Sequence, residues 1–395
     1  MGTLVRRTFD RTSKLKGEKE MGDAKRMQKQ KKSGAKILII ILILLIIAAG
    51  SLLAMKMMQN KESEEQIDAA NTNKNEIQEP KQEEKKEPKT FAGNERPIAF
   101  MIDNNINAMP QAGLEQADLI YEIIVEGGET RLMMVMKNQN LKKIGPIRSS
   151  RHYFIDYAME NDAIYIHYGH SPQAGTDFTK FGIDHIEGVY DNGSNFWRDT
   201  TRYAPHNAVI STANLEKVLK NEGFRRTTTK ENVLNYTAEE VVLEDKKEVV
   251  KASDTNTTSE PTERITNLAN SVTIPYSQYN TVKYTYNKDT KTYTRYSRDT
   301  VQKDWNTNKA IQVKNIIITK CENSTIDSYG RQTINNVKTL DGYYITNGKY
   351  IPIKCEKTSR TGQTKYKDLQ GNEIEVNDGK TFIQICPINS KISFK

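Results

Sequence analysis

The sequence predicts an α+β protein: a layered sheet-and-helix first domain, then a smaller, mostly-β C-terminal domain, preceded by one transmembrane helix. Three observations predict this arrangement. An uncharged apolar run occupies residues 37–55, strand and helix signals are mixed between residues 96 and 230, and short alternating strands fill residues 270–395. The strands and helices do not alternate strictly, which favours α+β over a doubly wound α/β fold.

The apolar run at residues 37–55 reads ILIIILILLIIAAGSLLAM and predicts the transmembrane helix. A helix of this length spans about 28 Å, close to the hydrocarbon thickness of a bilayer. Residues 1–36 hold 12 Lys/Arg and 4 Asp/Glu. The positive-inside rule therefore makes them a basic cytoplasmic tail and places the domains after the span outside the cell membrane. A cleaved signal peptide is the alternative, but its apolar region would be shorter.

The formal net charge of +8 lies entirely in that tail, because the rest of the chain carries 46 basic and 46 acidic side chains. This distribution excludes a basic nucleic-acid-binding core. Three cysteines are too few for a disulfide scaffold. The chain has no P-loop, G-x-S-x-G or G-x-G-x-x-G motif, so nucleotide and α/β-hydrolase chemistry have no support and we predict no cofactor.

Two polar segments set the predicted domain boundaries. Residues 56–95 predict a disordered linker, since a segment of Glu, Lys, Gln and Asn buries too little apolar area to offset its ordering entropy. Residues 231–269 have a similar composition and predict a flexible connector. The α+β domain is thus placed at residues 96–230 and the β-rich domain at residues 270–395.

The first domain starts with apolar, β-branched runs that predict strands. These runs are residues 98–102, 119–125 and 132–136, followed by 163–168 and 208–210. Gly127-Gly128 lies between the second and third runs and predicts a hairpin. Three helices are predicted: from Ser149 or Ser150 to about Asn161, from Ser171-Pro172 to Gly182, and from Thr212 to Gly223.

The second domain shows strand signals only. Residues 282–286 and 292–296 alternate around a polar turn, which predicts another hairpin. Further short strands are predicted at residues 316–319, 343–346, 350–353 and 381–385.

Polar side chains cluster where the strands of the first domain end, and all five histidines fall between positions 152 and 206. Any chemistry is therefore expected in the first domain. The candidate catalytic residues are Glu122, Glu126, Asp103, His167 and His206. The candidate ligand-binding residues are Asn104, Arg131, Arg148, Arg151, Arg198, Asp199 and Asn207.

Several arginines beside acids and histidines suit an anionic ligand, because the planar guanidinium holds carboxylate or phosphate by two-point contact. Outside a Gram-positive-type membrane, such anions are peptidoglycan carboxylates and teichoic-acid phosphates. Glu122, Glu126 or Asp103 would serve as general acid or base, with His167 or His206 as the second choice. Alternatively, these acids simply form ion pairs with the arginines.

Two specific kinds of site, a glycosidase-type carboxyl pair and a metal site, are compared with simpler interpretations. Glu122 and Glu126 would lie about 13 Å apart along a strand, too far for a glycosidase-type pair, although either could pair with Asp103 from a neighbouring strand. His167 and His170 have a spacing that lets both rings approach one ion, with His206 or Asp103 as further ligands. No standard zinc signature is present, and surface or core histidines are the preferred interpretation, so no metal is predicted.

The chain resembles the YerB-like lipoproteins, a family defined by a domain of unknown function. The resemblance rests on spaced motifs in the first domain, among them residues 96–104 (RPIAFMIDN), 125–128 (VEGG), 145–151 (GPIRSSR), 171–174 (SPQA) and 205–207 (PHN). Residues 313–318, 348–353 and 378–383 resemble the family's C-terminal part. The resemblance implies an α+β first domain and an extracytoplasmic cell-envelope setting, but no established activity.

Two features depart from the family. Members of the family usually look lipid-anchored through a cysteine, whereas this chain has no cysteine before Cys321 and carries an apolar span. His170 stands where a small residue is expected. Three functions remain open: a module that binds an anionic wall component, a hydrolase or lyase acting on wall polymer, and a scaffold for a membrane protein complex.

Overall fold

The computed structural model describes residues 86–137, 139–191, 194–250 and 262–395. The predicted cytoplasmic tail, the predicted span at residues 37–55 and most of the predicted linker lie outside these residues. Within them, no helix is long and apolar enough to cross a bilayer.

The first half of the described chain mixes strands and helices, as the sequence predicts. Its strands are β1 (Ile98–Asp103), β2 (Leu119–Ile124), β3 (Thr130–Met136), β4 (Ile164–His167), β5 (His185–Glu187), β6 (Trp197–Arg198) and β7 (Ala208–Val209). Its α-helices are α1 (His152–Glu160), α2 (Pro172–Phe181) and α3 (Thr212–Glu222). The β2–β3 hairpin is confirmed, because these strands pair antiparallel around Gly127.

The second half is built from strands. They are β8 (Asn235–Thr237), β9 (Lys247–Val250), β10 (Thr262–Ile265), β11 (Ser271–Pro275), β12 (Thr281–Asn287), β13 (Thr292–Ser297), β14 (Thr300–Val301), β15 (Gln312–Val313), β16 (Asn315–Cys321), β17 (Asn323–Thr325), β18 (Gln332–Ile334), β19 (Thr339–Thr346), β20 (Lys349–Glu356), β21 (Lys365–Lys367), β22 (Glu375–Asn377), β23 (Thr381–Pro387) and β24 (Ser393–Phe394). The predicted hairpin of β12 and β13 is confirmed by their antiparallel pairing. With its large sheet and few helices, the described chain has the predicted α+β class.

One ten-stranded sheet takes strands from both halves of the chain, in the order β21-β20-β19-β16-β23-β2-β3-β1-β4-β5. The two halves meet where β2 pairs in parallel with β23, with Leu119 opposite Thr381. The described residues accordingly form one compact unit. A second sheet contains β14-β13-β12-β11-β24, with β15 paired to β13.

The two faces of the large sheet bury different partners. Odd-numbered residues of the central strands, such as Met101 and Tyr121, form one apolar cluster with Phe154 of α1 and Phe178 of α2. Even-numbered residues form the other cluster with α3 and with the second sheet; they include Phe100, Ile120, Leu132 and Met134. This alternation decides which polar side chains share a face.

The helix boundaries agree with the predictions for α2 and need a correction for α1 and α3. Ser171 caps α2 by accepting from the Ala174 N–H, and Gly182 ends it in the left-handed region. The residue before α1 is Arg151, without a side-chain cap. The predicted caps Ser149 and Ser150 are wrong, since their hydroxyls donate to the carbonyls of Tyr168 and Arg151 instead. The cap of α3 is Ser211, one residue before the predicted Thr212.

Candidate functional site

The end of β1 brings three of the predicted residues together. His206 Nδ1 lies 2.8 Å from Asp103 Oδ2, and Arg148 Nε lies 3.3 Å from the same oxygen. The chain before α1 runs beside β1, where the Arg148 N–H donates to the Met101 carbonyl and thereby places the arginine at Asp103. We call Asp103, Arg148 and His206 the Asp103 cluster.

The charge state of Asp103 follows from its surroundings. Burial alone would raise the pKa of Asp103, but the hydrogen bond from His206 and the charge of Arg148 outweigh it and lower that pKa below its ordinary value. Asp103 is therefore a carboxylate at neutral pH, and it keeps the His206 proton on Nδ1.

The cluster has polar atoms left over for a ligand. The Arg148 side chain is 26% exposed, and among the described residues nothing forms a hydrogen bond with its two terminal nitrogens. The His206 side chain is 19% exposed, and its Nε2 likewise has no partner within the described part of the chain. Asp103 holds each side chain by one nitrogen and leaves the others toward solvent.

Two further arginines lie behind the cluster. Glu126 forms ion pairs with Arg151 and with Arg131, whose Nη2 is 3.6 Å from Glu126 Oε2. Burial, together with the charges of Arg151 and Arg148, lowers the pKa of Arg131 to about 10. Three guanidinium groups thus face two carboxylates, those of Asp103 and Glu126, and the net local charge is positive.

Glu122 and Asn104 do not belong to this cluster, and their predicted roles need correction. Glu122 is 0% exposed, and its Oε1 accepts hydrogen bonds from Asn104 Nδ2 and Thr130 Oγ1 at 3.1 and 2.7 Å. Its Oε2 lies 2.7 Å from Nη2 of Arg295, which is also 0% exposed. A general acid or base must reach substrate or water, so we remove Glu122 from the candidate site. Asn104 is also 0% exposed and cannot contact a ligand at the surface, so we remove it as well.

The register of the sheet explains the separation. Asp103 and Ile123 both pair with Arg131, whereas Glu122 pairs with Leu132. Directly paired residues of adjacent strands share a face, so Asp103 and Glu122 project from opposite faces of the sheet. The pairing of Glu122 with Asp103, which the sequence left open as one alternative, is therefore not formed.

Arg198, Asp199 and Asn207 organise the loop that carries His206. Arg198 Nη1 donates to Asn207 Oδ1 at 3.0 Å, and Asn207 Nδ2 donates to the carbonyls of Asp199 and Arg202. Burial would raise the pKa of Asp199, but hydrogen bonds from Lys143 and Thr201 lower it to about 2. We place these three residues around the cluster as groups that position the loop.

His167 lies in a different group of side chains. It is buried, its Nε2 is 2.9 Å from His185 Nδ1, and its Nδ1 is 3.2 Å from Glu187 Oε2. His170 contacts the same Glu187 oxygen. The partners suggested for these histidines by the sequence, His206 and Asp103, instead bind each other, so that suggestion is corrected.

Several neighbours of the Asp103 cluster were missed by the sequence analysis. The Arg202 guanidinium lies 3.5 Å from the ring centre of Trp305, and the same ring has Lys143 Nζ at 3.8 Å. Arg202 also donates to the carbonyls of Ala108 and Pro110, just beyond β1. Trp305 is more than a hundred positions from Arg202, and no local pattern could have revealed the contact.

Two cavities of the described part of the chain lie away from the Asp103 cluster. One of about 490 Å³ is bordered by His185, Glu187 and Tyr190, and one of about 480 Å³ is bordered by Phe91 and Lys137. Neither of these two cavities is bordered by Asp103, Arg148 or His206.

Comparisons with known proteins show which family models, relatives and solved structures this chain resembles. The family model described as "Protein of unknown function (DUF3048) N-terminal domain" matches residues 50–225, and the corresponding C-terminal domain model matches residues 272–383. "Putative lipoprotein YerB" of Bacillus subtilis (strain 168) is 28% identical over 300 residues, covering 74% of this chain and 81% of that protein. The crystal structure of YerB from Bacillus subtilis is similar with a TM-score of 0.64 and 26% identity, over 76% of this chain and 94% of that chain.

Proposed function

The chain belongs to the DUF3048 family of proteins of unknown function, and we propose that its Asp103 cluster binds an anionic component of the bacterial cell wall. The observation that supports this most directly is Arg148. Asp103 holds its Nε at 3.3 Å, and the two terminal nitrogens are left for a ligand. A guanidinium held in this way presents a fork that fits carboxylate or phosphate.

The proposed location is the outer face of the cell membrane. The relative from Bacillus subtilis is named as a lipoprotein, and a cell-envelope setting is compatible with the apolar run at residues 37–55 of this chain. We propose that this run anchors the protein once in the membrane, with the Asp103 cluster facing the wall.

The variant Arg148→Met tests the binding proposal. Hydrogen bonds to a charged group contribute about 1.5–3 kcal/mol, so its loss is expected to weaken binding roughly tenfold to a hundredfold. Full-length protein in detergent is incubated with isolated cell-wall sacculi, before and after chemical removal of teichoic acids, and the bound fraction is measured after sedimentation. If binding is lost when the teichoic acids are removed, the ligand is phosphate. If binding is retained after their removal, the ligand is peptidoglycan carboxylate.

The matched control is Arg226→Met, which removes an arginine paired with Glu216 and half exposed. It makes the same change in charge and should bind like the unmodified protein. Equal sedimentation of the Arg148→Met protein and the unmodified protein would contradict the proposal, as would an absence of binding by the unmodified protein.

A second candidate function is hydrolysis or elimination on the same polymer. The supporting observation is the hydrogen bond between Asp103 and His206, which keeps the His206 proton on Nδ1 and turns Nε2 toward solvent. This is the orientation that a carboxylate imposes on a histidine general base.

His206→Gln separates catalysis from binding. If the protein is an enzyme, it releases soluble wall fragments that mass spectrometry identifies. In the variant, the rate of fragment release should fall by about a hundredfold or more, while the protein still sediments with sacculi. Fragment release that is equal in both proteins would exclude His206 as the base. If the unmodified protein releases no fragments, the binding function remains and the enzymatic one is rejected.

A further inference from the structure

Three of the five histidines gather at a place that the proposed function does not use. His167 ends β4 and His170 lies in the turn before α2, while His185 begins the neighbouring strand β5. β4 and β5 are parallel, with His167 directly opposite Glu187. Their carboxyl ends therefore bring a histidine and a glutamate to the same edge of the sheet, next to His170.

From this geometry we propose that His167, His170 and Glu187 bind a first-row divalent metal ion of the zinc class. Glu187 Oε2 lies 3.2 Å from His167 Nδ1 and 2.8 Å from His170 Nδ1, and one ligand atom from each residue falls within 4.8 Å of the others. Zinc–nitrogen and zinc–oxygen bonds of about 2.0–2.2 Å in a tetrahedral site place ligand atoms about 3.3 Å apart. Small shifts of the side chains therefore suffice.

The chemistry of the ligand set fits this class of ion. Two imidazoles and one carboxylate, with a water as the fourth ligand, form a common open zinc site. His170 Nδ1 shares its proton with Glu187 Oε2, and His167 Nδ1 shares its proton with the Gly169 carbonyl at 3.0 Å and with Glu187 Oε2. On binding, the ion takes the position of these protons, which pass to the solvent. The His170 side chain is 31% exposed and provides the entry path.

Groups around the three ligands hold them in place, as outer-shell partners do in metal sites. Glu187 Oε1 accepts hydrogen bonds from the Gly169 and Val189 N–H groups at 2.6 and 3.0 Å, which leaves Oε2 for the ion. His167 has its second nitrogen 2.9 Å from His185 Nδ1, and its ring stacks on Phe178.

The His170 ring packs closely against a glycine. It lies against Gly175 of α2, where an added Cβ would come within 3.0 Å of the ring. A side chain at position 175 would therefore require the ring to shift by a few tenths of an ångström.

The experiment uses the full-length chain in detergent, stripped of metals with a chelator and dialysed. Zinc chloride is titrated calorimetrically, and we expect one tight equivalent. His170→Ala should weaken this binding by at least about a hundredfold, because it removes a direct ligand. His152→Ala is the matched control, since His152 bonds to Thr333 elsewhere and should leave zinc binding unchanged.

Cobalt(II) provides a second readout on the unmodified protein. A site with two imidazoles and a carboxylate is expected to give the intense visible absorption of four-coordinate cobalt, and zinc should abolish it. Circular dichroism checks that His170→Ala is folded; if it is not, the cobalt spectrum decides alone. Absence of a tight zinc equivalent, or equal affinity in a folded His170→Ala protein, would show that these residues form only a hydrogen-bonded cluster.

Discussion

Replacing Arg295 by methionine is expected to lower the free energy of unfolding by about 3–5 kcal/mol. The reason is that Glu122 would keep its charge with no charged partner, at a position that is 0% exposed. Arg295 also donates to the Tyr284 hydroxyl at 2.5 Å and to Gln302. Gln302 would lose this donor, whereas the Tyr284 hydroxyl would keep the one from Gln384 at 3.0 Å. The measurement is chemical unfolding of the full-length protein in detergent, followed by the fluorescence of Trp197 and Trp305.

Two variants show whether the unpaired charge is the cause. The double replacement Glu122→Gln with Arg295→Met removes both charges and should recover much of the lost stability, because neutral replacement of a whole buried pair is often tolerated. Arg226→Met breaks the half-exposed pair with Glu216 and should cost less than about 1 kcal/mol. An unchanged unfolding midpoint for Arg295→Met would show that the buried pair of Arg295 and Glu122 does not stabilise the protein.

This pair also changes how an activity test of Glu122 must be interpreted. Glu122→Gln alone would leave the buried Arg295 guanidinium without its carboxylate and destabilise the protein by a similar mechanism. A loss of activity in that variant would then reflect unfolding. Variants of Arg148 and His206 are better probes, because both side chains are partly exposed and carry fewer contacts.

Replacing Lys357 by methionine is expected to have the second large effect, lowering the free energy of unfolding by about 3 kcal/mol at neutral pH. Lys357 Nζ lies 2.8 Å from Glu160 Oε2, and both side chains are buried. Glu160 keeps neutral donors after the change, namely the Tyr121 hydroxyl at 2.8 Å and the hydroxyl of Thr364 at 2.7 Å. These remaining hydrogen bonds place the cost at the lower end of the range for broken buried pairs.

The control for Lys357 is Lys354→Met. Lys354 of β20 lies three residues before Lys357 and forms an exposed pair with Asp341 of β19. Its loss should change stability by less than about 1 kcal/mol. Similar losses in the two lysine variants would mean that burial of the Lys357 pair is not what stabilises the fold.

Local structure was predictable from the sequence because short-range physics determines it. The β2–β3 hairpin follows from apolar runs on either side of a Gly-Gly turn, and α2 follows from a serine cap, a proline and a final glycine. These elements depend on backbone sterics and hydrogen bonds within a few residues. The polar residues at strand ends could be found in the sequence because the strand boundaries are themselves set by short-range interactions.

The tertiary structure alone decided which of these polar residues meet. Arg295 reaches Glu122 across 173 positions of sequence, and Glu187 reaches His170 through the pairing of β4 with β5. Composition and spacing contain no information about strand order or register, yet a shift of one residue moves a side chain to the opposite face of the sheet. The sequence by itself determined the strands, the helices and the candidate residues. Register and long-range pairing separated the partly exposed Asp103 cluster from the buried Glu122, because side chains are assigned to a face of the sheet only when the strands are paired.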